Sequence, residues 1–320
     1  MPRVSIIIPL YDEENNLQEL YQRLKKVLDP LTLEDYEIIL IDDGSSDGTW
    51  PIIQKFSETD PKVKGIKLSR NFGHQSALIA GMDHAEGDVL ITMDGDLQHP
   101  PELIPQFLAK WQEGFDIVCA QRERTENISW IKNFFSKFFL FAFNKISFVR
   151  LKEGVADFRL ISREVVGVLK TMKERCRFLR GLVSWVGFRS AYIVYTAPKR
   201  LSGKAKYSLR KSLFLALTGI LSFSPQPLYW AGFLGLVVTF FSFIYIIYAI
   251  YLKLFTHSSL SGWASILISV LFLGGVQLIT IGILGSYLAM VFEEVKGRPI
   301  YIVQKITYKN SKNWKEEVNG

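Results

Sequence analysis

Two long stretches without a charged residue dominate the C-terminal third of this 320-residue chain. Residues 212–252 form one stretch of 41 positions, and residues 254–292 form a second of 39. A helix that crosses the hydrocarbon core of a membrane needs about 20 apolar residues. Because Pro225 and Pro227 interrupt the first stretch, the sequence predicts membrane-spanning helices over residues 228–252 and 263–292. A pair of buried core helices is the alternative interpretation.

Basic residues flank the two predicted spans on their outer sides, whereas the connecting segment 253–262 carries one Lys and one His. Because cations are enriched on the cytoplasmic side, we expect both termini in the cytoplasm and this loop outside. The chain is then an integral protein of the cell membrane, with a cytosolic domain over 1–211, a juxtamembrane amphipathic segment over 212–226 and a cytosolic tail over 293–320. The flanking cations are Lys199, Arg200, Lys204, Lys206, Arg210, Lys211, Lys296, Arg298 and Lys305.

The composition narrows the class of protein further. Hydrophobic residues make up 48% and aromatic residues 13%, against 22% charged, which excludes an intrinsically disordered chain. The two cysteines, Cys119 and Cys176, lack the spacing of a zinc or redox motif and favour a reducing compartment. The net charge of +7 favours a polyanionic partner, and by itself it leaves open a nucleic acid, a membrane surface or a phosphorylated substrate.

The first hundred residues alternate between short apolar runs and helical patterns. Strands are predicted over 4–10, 36–41, 64–68 and 88–93, and this alternation is typical of an α/β fold with a mostly parallel sheet. A further strand is predicted over 116–120. Ligands of such sheets bind at the carboxyl ends of the strands. Acidic residues follow three of these ends, in segments 12–13, 42–43 and 94–96, so they are expected to converge on one crevice.

Asp94, Asp96 and Gln98 offer oxygen ligands at one strand end, a set that suits Mg²⁺ or Mn²⁺. A lone Asp-x-Asp is also common in turns, and His99 is interpreted as a turn residue before the next helix. The sequence contains no Gly-x-Gly-x-x-Gly and no Gly-Lys-Ser/Thr loop, so a dinucleotide-binding or P-loop enzyme is not supported.

Five motifs in order along the chain resemble one known family. The segments 9–15 (PLYDEEN), 42–49 (DDGSSDGT) and 93–101 (MDGDLQHPP) resemble family 2 glycosyltransferases of the GT-A (Rossmann-like) fold. The segments 68–75 (LSRNFGHQ) and 156–160 (ADFRL) are similar to the polyprenyl-phosphate branch, which contains dolichyl-phosphate mannose synthases and bactoprenol glucosyltransferases.

The resemblance implies roles for two sets of residues. The nucleoside of a sugar-nucleotide donor is expected to contact Pro9, Tyr11, Glu13 and Asp42, with Asp94 completing the donor site. The metal on the donor diphosphate is expected to be held by Asp94, Asp96 and Gln98. For segment 42–49, a tight turn is the alternative interpretation.

Basic residues are expected to hold the second substrate. Arg122, Arg200 and Lys204 are interpreted as a clamp for phosphate, and segment 199–208 resembles the mobile acceptor loop of the family. A polybasic patch that meets anionic lipid is the alternative. The aromatic-rich segment 128–149 predicts an interfacial helix, or else a helix packed on the sheet or on a second subunit.

The implied reaction is inverting, metal-dependent transfer of a hexose to a polyprenyl phosphate, with glucose from UDP-glucose and undecaprenyl phosphate as the expected pair. GDP-mannose is the alternative donor. Asp157 matches a functionally essential carboxylate of the family and is expected to orient the acceptor or a sugar hydroxyl. Its alternative role is an ion pair with Arg159 or Arg163.

Two other classes of protein fit the sequence less well than this enzyme. A processive polysaccharide synthase would add an Arg-Trp segment that this sequence lacks, and a non-catalytic membrane scaffold would not need paired carboxylates at strand ends. The spans and the acidic crevice argue against a nucleic acid partner. The resemblance also implies a homo-oligomer, such as a tetramer.

Overall fold

The first strand is apolar on both faces because it lies in the centre of the sheet. In β1 (Arg3–Leu10) every residue after Arg3 is buried, as expected for a parallel strand covered by helices on both sides. The computed structural model describes residues 2–123, 140, 141, 143–147, 149, 150, 152–172, 174, 178–196, 198, 219, 221–255 and 262–308.

The sheet-bearing part of these residues contains eight strands, six α-helices, a 3-10 helix over Pro101–Leu103 and helical residues within 140–146. The remaining strands are β2 (Asp35–Asp42), β3 (Val63–Leu68), β4 (Val89–Thr92), β5 (Ile117–Arg122), β6 (Val155–Ser162), β7 (Ser190–Tyr195) and β8 (Val303–Thr307). The helices are α1 (Leu17–Leu28), α2 (Thr49–Thr59), α3 (His74–His84), α4 (Ile104–Gln112), α5 (Arg163–Thr171) and α6 (Leu179–Trp185).

The strands form one sheet in the order β7-β5-β6-β4-β1-β2-β3-β8. The pairs β1/β2, β1/β4, β2/β3 and β5/β7 are parallel, and β6 and β8 run antiparallel to their neighbours. The predicted α/β architecture with a mostly parallel sheet is therefore confirmed, and the five predicted strands are all present.

The topology brings one group of loops together. Because β1, β2, β4 and β5 run in the same direction, their carboxyl ends lie at one edge of the sheet. β6 runs the opposite way, and Arg159 pairs with Thr92 at the last position of β4. The first residues of β6 therefore lie at this same edge, beside the loop that follows β4.

The last strand comes from the C-terminal tail. β8 pairs with β3, its Ile306 is buried, and Ser57 Oγ donates a 2.9 Å hydrogen bond to Thr307 Oγ1. Nothing in the sequence motifs predicts this strand. β8 belongs to the same compact unit as the rest of the sheet.

The second compact unit contains two long apolar helices, α7 (Gln226–Phe255) and α8 (Trp263–Val295). Their apolar windows, Gln226–Tyr251 and Ser269–Val295, have mean hydropathies of 2.4 and 1.8, and neither window is buried. Both helices are thus long and apolar enough to cross a membrane, and they are not core helices of the sheet. Pro227 is accommodated in the first turn of α7, where no backbone N–H is needed, so the helix begins two residues before the predicted span.

The predicted interfacial helix over 128–149 and the juxtamembrane segment 212–226 lie largely outside the described residues. Within the described part of the first segment, Phe143 is fully buried and Phe141 is 65% exposed.

Candidate active site

The loops after β1 and β2 are locked together by hydrogen bonds between their side chains and backbones. The backbone N–H of Asp12 donates to Ser45 Oγ at 3.0 Å, and Asp12 Oδ1 accepts from the N–H of Ser46 at 2.9 Å. The N–H of Glu13 donates to Thr49 Oγ1 at 2.9 Å. Asp12 has φ 51°, a strained conformation for a residue with a side chain, and such strain often accompanies a functional loop.

The residues expected to contact the nucleoside do not all present side chains to the crevice. Pro9 is buried within β1, where it lies opposite Ile41 of β2. Tyr11 is 39% exposed at the loop surface, and Glu13 Oε2 accepts a 2.6 Å hydrogen bond from Asn16 Nδ2.

Asp42, at the last position of β2, is fully buried and carries an unsatisfied oxygen. Its Oδ1 accepts from the N–H of Ser45 at 3.0 Å, whereas Oδ2 has no hydrogen-bond partner among the described residues. A buried acceptor without a partner is costly, so it is a strong candidate for bonding to a ligand.

Asp43 joins the end of β2 to the start of α3. Its two oxygens accept from the N–H groups of Phe72 at 2.7 Å and Gly73 at 2.9 Å. Burial raises the pKa of Asp43, although these two N–H donors oppose the shift. The contact fixes the N-terminus of α3, where His74 is the first residue. The sequence motifs do not predict this structural role of Asp43.

Asp94, Asp96 and Gln98 turn toward the same side of the loop that follows β4. Along residues 94–99, partly exposed and buried positions alternate, so these three side chains face outward while residues 95, 97 and 99 face inward. Leu97 takes φ 63°, a second strained position in the crevice. The metal-binding role of Asp94, Asp96 and Gln98 stays a prediction.

His99 fixes this loop from inside and is not a simple turn residue. It is buried, stacks on Phe158 with ring centroids 5.1 Å apart, and its Nδ1 lies 2.9 Å from the backbone N of Asp94. Since that N–H is a donor, Nδ1 carries no proton. Burial lowers the pKa of His99, so the ring is neutral and does not form an ion pair with Asp94.

The oxygen ligands of this loop suit a divalent cation whose coordination is completed by a bound substrate. Asp94 Oδ1 is buried and has no hydrogen-bond partner among the described residues, although His74 Nε2 lies 3.4 Å from it. Within the same described residues, no three His, Cys, Asp or Glu side chains are grouped closely enough to hold a metal ion. Asp94, Asp96 and the Gln98 amide therefore supply only part of a coordination sphere, as expected for an ion shared with a diphosphate.

Asp157, near the start of β6, lies in the middle of a buried charge cluster. Arg159 Nη2 donates to its Oδ1 at 2.5 Å, and Arg180 donates through Nε to Oδ1 at 3.1 Å and through Nη2 to Oδ2 at 3.0 Å. Burial alone would raise the pKa of Asp157, but Arg180, His74 and Arg159 together hold it well below its ordinary value. The expected ion pair with Arg159 is present, whereas Arg163 donates instead to the carbonyl oxygen of Ala85.

His74 lies between the two carboxylates and is a site residue that sequence reasoning missed. Its Nε2 is 3.4 Å from Asp94 Oδ1 and 3.7 Å from Asp157 Oδ2. Burial would lower the pKa of His74, but Asp157 and Asp94 outweigh this effect and raise it. The signal was available in segment 68–75, which the motif analysis quoted only for family membership.

A cavity of about 550 Å³ opens beside Asp94. It extends from Gln98 and the end of β5 toward α6, and Arg122 Nε is buried in its wall without a hydrogen-bond partner among the described residues. Among the described residues, five cationic side chains and one acidic side chain, that of Asp94, line it. The cations are Arg122, Arg150, Lys152, Arg159 and Arg180. Arg200 and Lys204, the other predicted members of the phosphate clamp, lie outside the described residues.

The match to a known family covers β1 to β6, which are most of the sheet. Residues 5–169 match the family described as Glycosyl transferase family 2. The chain belongs to glycosyltransferase family 2. This confirms the family that the motifs resemble, and it makes the protein an enzyme, so the non-catalytic scaffold is wrong.

Full-length relatives of this family 2 glycosyltransferase are similar along nearly the whole chain. An uncharacterised glycosyltransferase of Bacillus subtilis is 42% identical over 301 residues, covering 94% of this chain and 93% of that protein. A prophage-derived bactoprenol glucosyl transferase of Shigella flexneri is 41% identical and covers 95% of this chain and 98% of the relative. A prophage bactoprenol glucosyl transferase homolog of Escherichia coli is 40% identical, with 95% and 99% covered.

Proposed function

We propose that this glycosyltransferase transfers glucose from UDP-glucose to the phosphate of a polyprenyl phosphate, with undecaprenyl phosphate as the acceptor. The observation that carries the proposal is the cationic cavity beside Asp94, in whose wall the described part of the chain places five Arg or Lys side chains and one carboxylate. An anionic acceptor fits this lining, whereas a neutral sugar hydroxyl does not need it. The two relatives named for bactoprenol glucosyl transfer support the same acceptor and sugar.

The donor is proposed to bind at the carboxyl ends of β1, β2 and β4. The unsatisfied Oδ2 of Asp42 is the acceptor for a nucleoside hydrogen-bond donor, and Tyr11 offers an exposed ring for stacking. Asp94, Asp96 and Gln98 would hold Mg²⁺ or Mn²⁺ on the diphosphate. When bound, such an ion neutralises negative charge on the departing nucleoside diphosphate.

The nucleophile in this proposal is a phosphate oxygen, which needs no strong general base. A phosphate monoester has its second pKa near 6, so it is largely a dianion at neutral pH. Its oxygen forms a bond to C1 of the sugar as the bond from C1 to the diphosphate oxygen breaks. Attack from the opposite face inverts the configuration and gives a β-linked product from an α-linked donor.

The contacts of Asp157 agree with this chemistry. Because Arg159 and Arg180 stabilise its ionised form, Asp157 is a poor proton acceptor and acts by positioning. The rate then derives from alignment of two anionic substrates and from the cations around them.

The proposed location is the cytoplasmic face of the cell membrane, with α7 and α8 as the spans and both termini in the cytoplasm. The pairing of β8 with β3 supports this arrangement, because it places the chain segment after α8 in the same folded unit as the segment that begins the chain. A homo-oligomer stays a prediction.

The test is transfer by the purified full-length chain in detergent micelles with Mn²⁺, undecaprenyl phosphate and radiolabelled sugar nucleotides. UDP-glucose should place label in the lipid fraction, GDP-mannose should give much less, and a chelator should remove the signal. Preferential labelling from GDP-mannose would replace the proposed donor, and no lipid labelling from either donor would contradict the proposed reaction.

A further inference from the structure

The guanidinium of Arg180 is held in one orientation at the wall of the cationic cavity. Arg180 is the second residue of α6, and its Nε and Nη2 donate to the two oxygens of Asp157 at 3.1 and 3.0 Å. The carboxylate that holds it is itself buried, with 6% of its side chain exposed. The Arg180 side chain is 43% exposed and lines the cavity together with Arg122 and Lys152.

A purely structural ion pair does not account for this arrangement. Arg159 is almost completely buried and already pairs with Asp157 at 2.5 Å, which neutralises the buried carboxylate. Arg180 brings a second guanidinium to the same carboxylate, and this side chain is 43% exposed and lies in the wall of the cavity beside other cations. Concentrating like charges is unfavourable unless an anion offsets them.

Only the His74 side chain separates this cluster from Asp94, which is expected to bind the sugar-nucleotide donor. Asp157 Oδ2 is 3.7 Å from His74 Nε2, and the same nitrogen is 3.4 Å from Asp94 Oδ1. An anion against Arg180 would therefore lie close to the carboxylate expected to hold the donor metal.

We infer that Arg180 binds the phosphate of the acceptor and that Asp157 is the positioning residue that fixes its guanidinium. This inference rests on the proposed polyprenyl phosphate acceptor. A guanidinium suits phosphate because its planar fork donates several hydrogen bonds at once. Since Asp157 already restricts the side chain, less conformational entropy is lost when the phosphate binds.

The experiment compares three variants of the full-length chain in neutral detergent. For Arg180→Gln, the KM for undecaprenyl phosphate should rise roughly tenfold or more, because charge-assisted hydrogen bonds are lost. Arg180→Lys retains the charge without the fork and should raise this KM by a smaller factor. Asp157→Asn should also raise the acceptor KM. In all three, the affinity for UDP-glucose with Mn²⁺, measured by calorimetry, should stay within about twofold of the unchanged chain.

Arg189→Gln is the matched control. Arg189 lies just before β7, and its guanidinium packs on Phe115. Because Arg189 is not among the residues that line the cavity, Arg189→Gln should keep the wild-type KM for undecaprenyl phosphate. Thermal unfolding of each variant identifies any that fail to fold, and Arg180→Lys keeps the test available if Arg180→Gln is unstable.

Three outcomes would overturn the inference. The first is an acceptor KM that is unchanged in both Arg180→Lys and Arg180→Gln. The second is a loss of UDP-glucose affinity as large as the loss of acceptor affinity. The third is a fall in kcat alone for Asp157→Asn, which would indicate that Asp157 acts as a general base. Failure of the proposed function can be distinguished from failure of this inference, because in the first case the unsubstituted enzyme itself would give no lipid-linked product.

Discussion

The backbone N–H of Asp94 donates a 2.9 Å hydrogen bond to Nδ1 of His99, five residues further along the chain. This bond closes the loop that presents Asp94, Asp96 and Gln98, and it fixes the tautomer of the histidine. A residue whose sequence position indicated only a turn thus organises the expected metal site.

His99→Phe should retain the stacking on Phe158 but leave the N–H of Asp94 without its acceptor. A buried donor that loses its partner costs about 1–3 kcal/mol, so we expect lower thermal stability and weaker UDP binding in the presence of Mn²⁺. Calorimetry of UDP binding and thermal unfolding provide the measurement. His84→Phe is the control, since His84 bonds to Ala80 O within α3. Unaltered UDP binding in His99→Phe would mean that the loop does not depend on this bond.

Asp96→Ala should abolish sugar transfer while the protein stays folded. The variant removes one of two carboxylates expected on the metal, and the remaining oxygens are too few to hold the ion with the diphosphate. Activity with Mn²⁺ and with a chelator should be measured beside Glu113→Ala, whose exposed carboxylate pairs with Lys110. Full activity of Asp96→Ala in the chelator would remove the metal assignment.

Gly44→Ala should destabilise the fold more than an alanine at another left-handed glycine. Gly44 has φ +70°, and an added Cβ would lie 2.5 Å from the carbonyl carbon of Arg70. Gly187 has a similar φ of +74°, yet the nearest atom is 4.0 Å away, so Gly187→Ala should cost only about 1–2 kcal/mol for the backbone conformation. Denaturant unfolding of both variants measures the difference. Equal losses would show that the loops after β2 and β3 can separate without cost.

A cysteine placed at Ser259 should react with a membrane-impermeant thiol reagent from outside intact cells. The prediction follows from the charge bias around the two spans, since the connecting segment carries few cations. The unsubstituted chain, with Cys119 and Cys176 retained, gives the background. Labelling that requires permeabilised cells would reverse the orientation or remove a span.

The strands β1 to β5 and both long helices were predictable from sequence because their signals are local, whereas β6 and β7 were not predicted. Buried parallel strands are continuous apolar runs, and the spans are long charge-free stretches. The strand β8 was not predictable in this way, since Val303–Thr307 alternates apolar and polar residues only briefly and pairs with β3 from more than two hundred residues away.

The candidate site likewise contains residues that a local sequence signal predicts and residues that only long-range contacts bring together. Asp94, Asp96 and Gln98 share one short loop, so their spacing predicted that they lie together. The contact between Asp157 and Arg180 joins residues 23 positions apart on different elements, and no periodic pattern marks such a pair. Likewise, His74 and Asp94 lie on different elements, and Asp43 bonds to the backbone just before His74 at the start of α3.

The most direct test of the proposed reaction is the choice of acceptor. The full-length enzyme, given UDP-glucose and Mn²⁺ in neutral micelles, should be offered undecaprenyl phosphate or undecaprenol at equal concentration, and lipid-linked glucose should be measured over time. We expect rapid transfer to the phosphate and essentially none to the alcohol, because the cavity cations bind an anion and the ionised Asp157 is a poor proton acceptor. Comparable transfer to undecaprenol, or transfer to neither lipid, would contradict it.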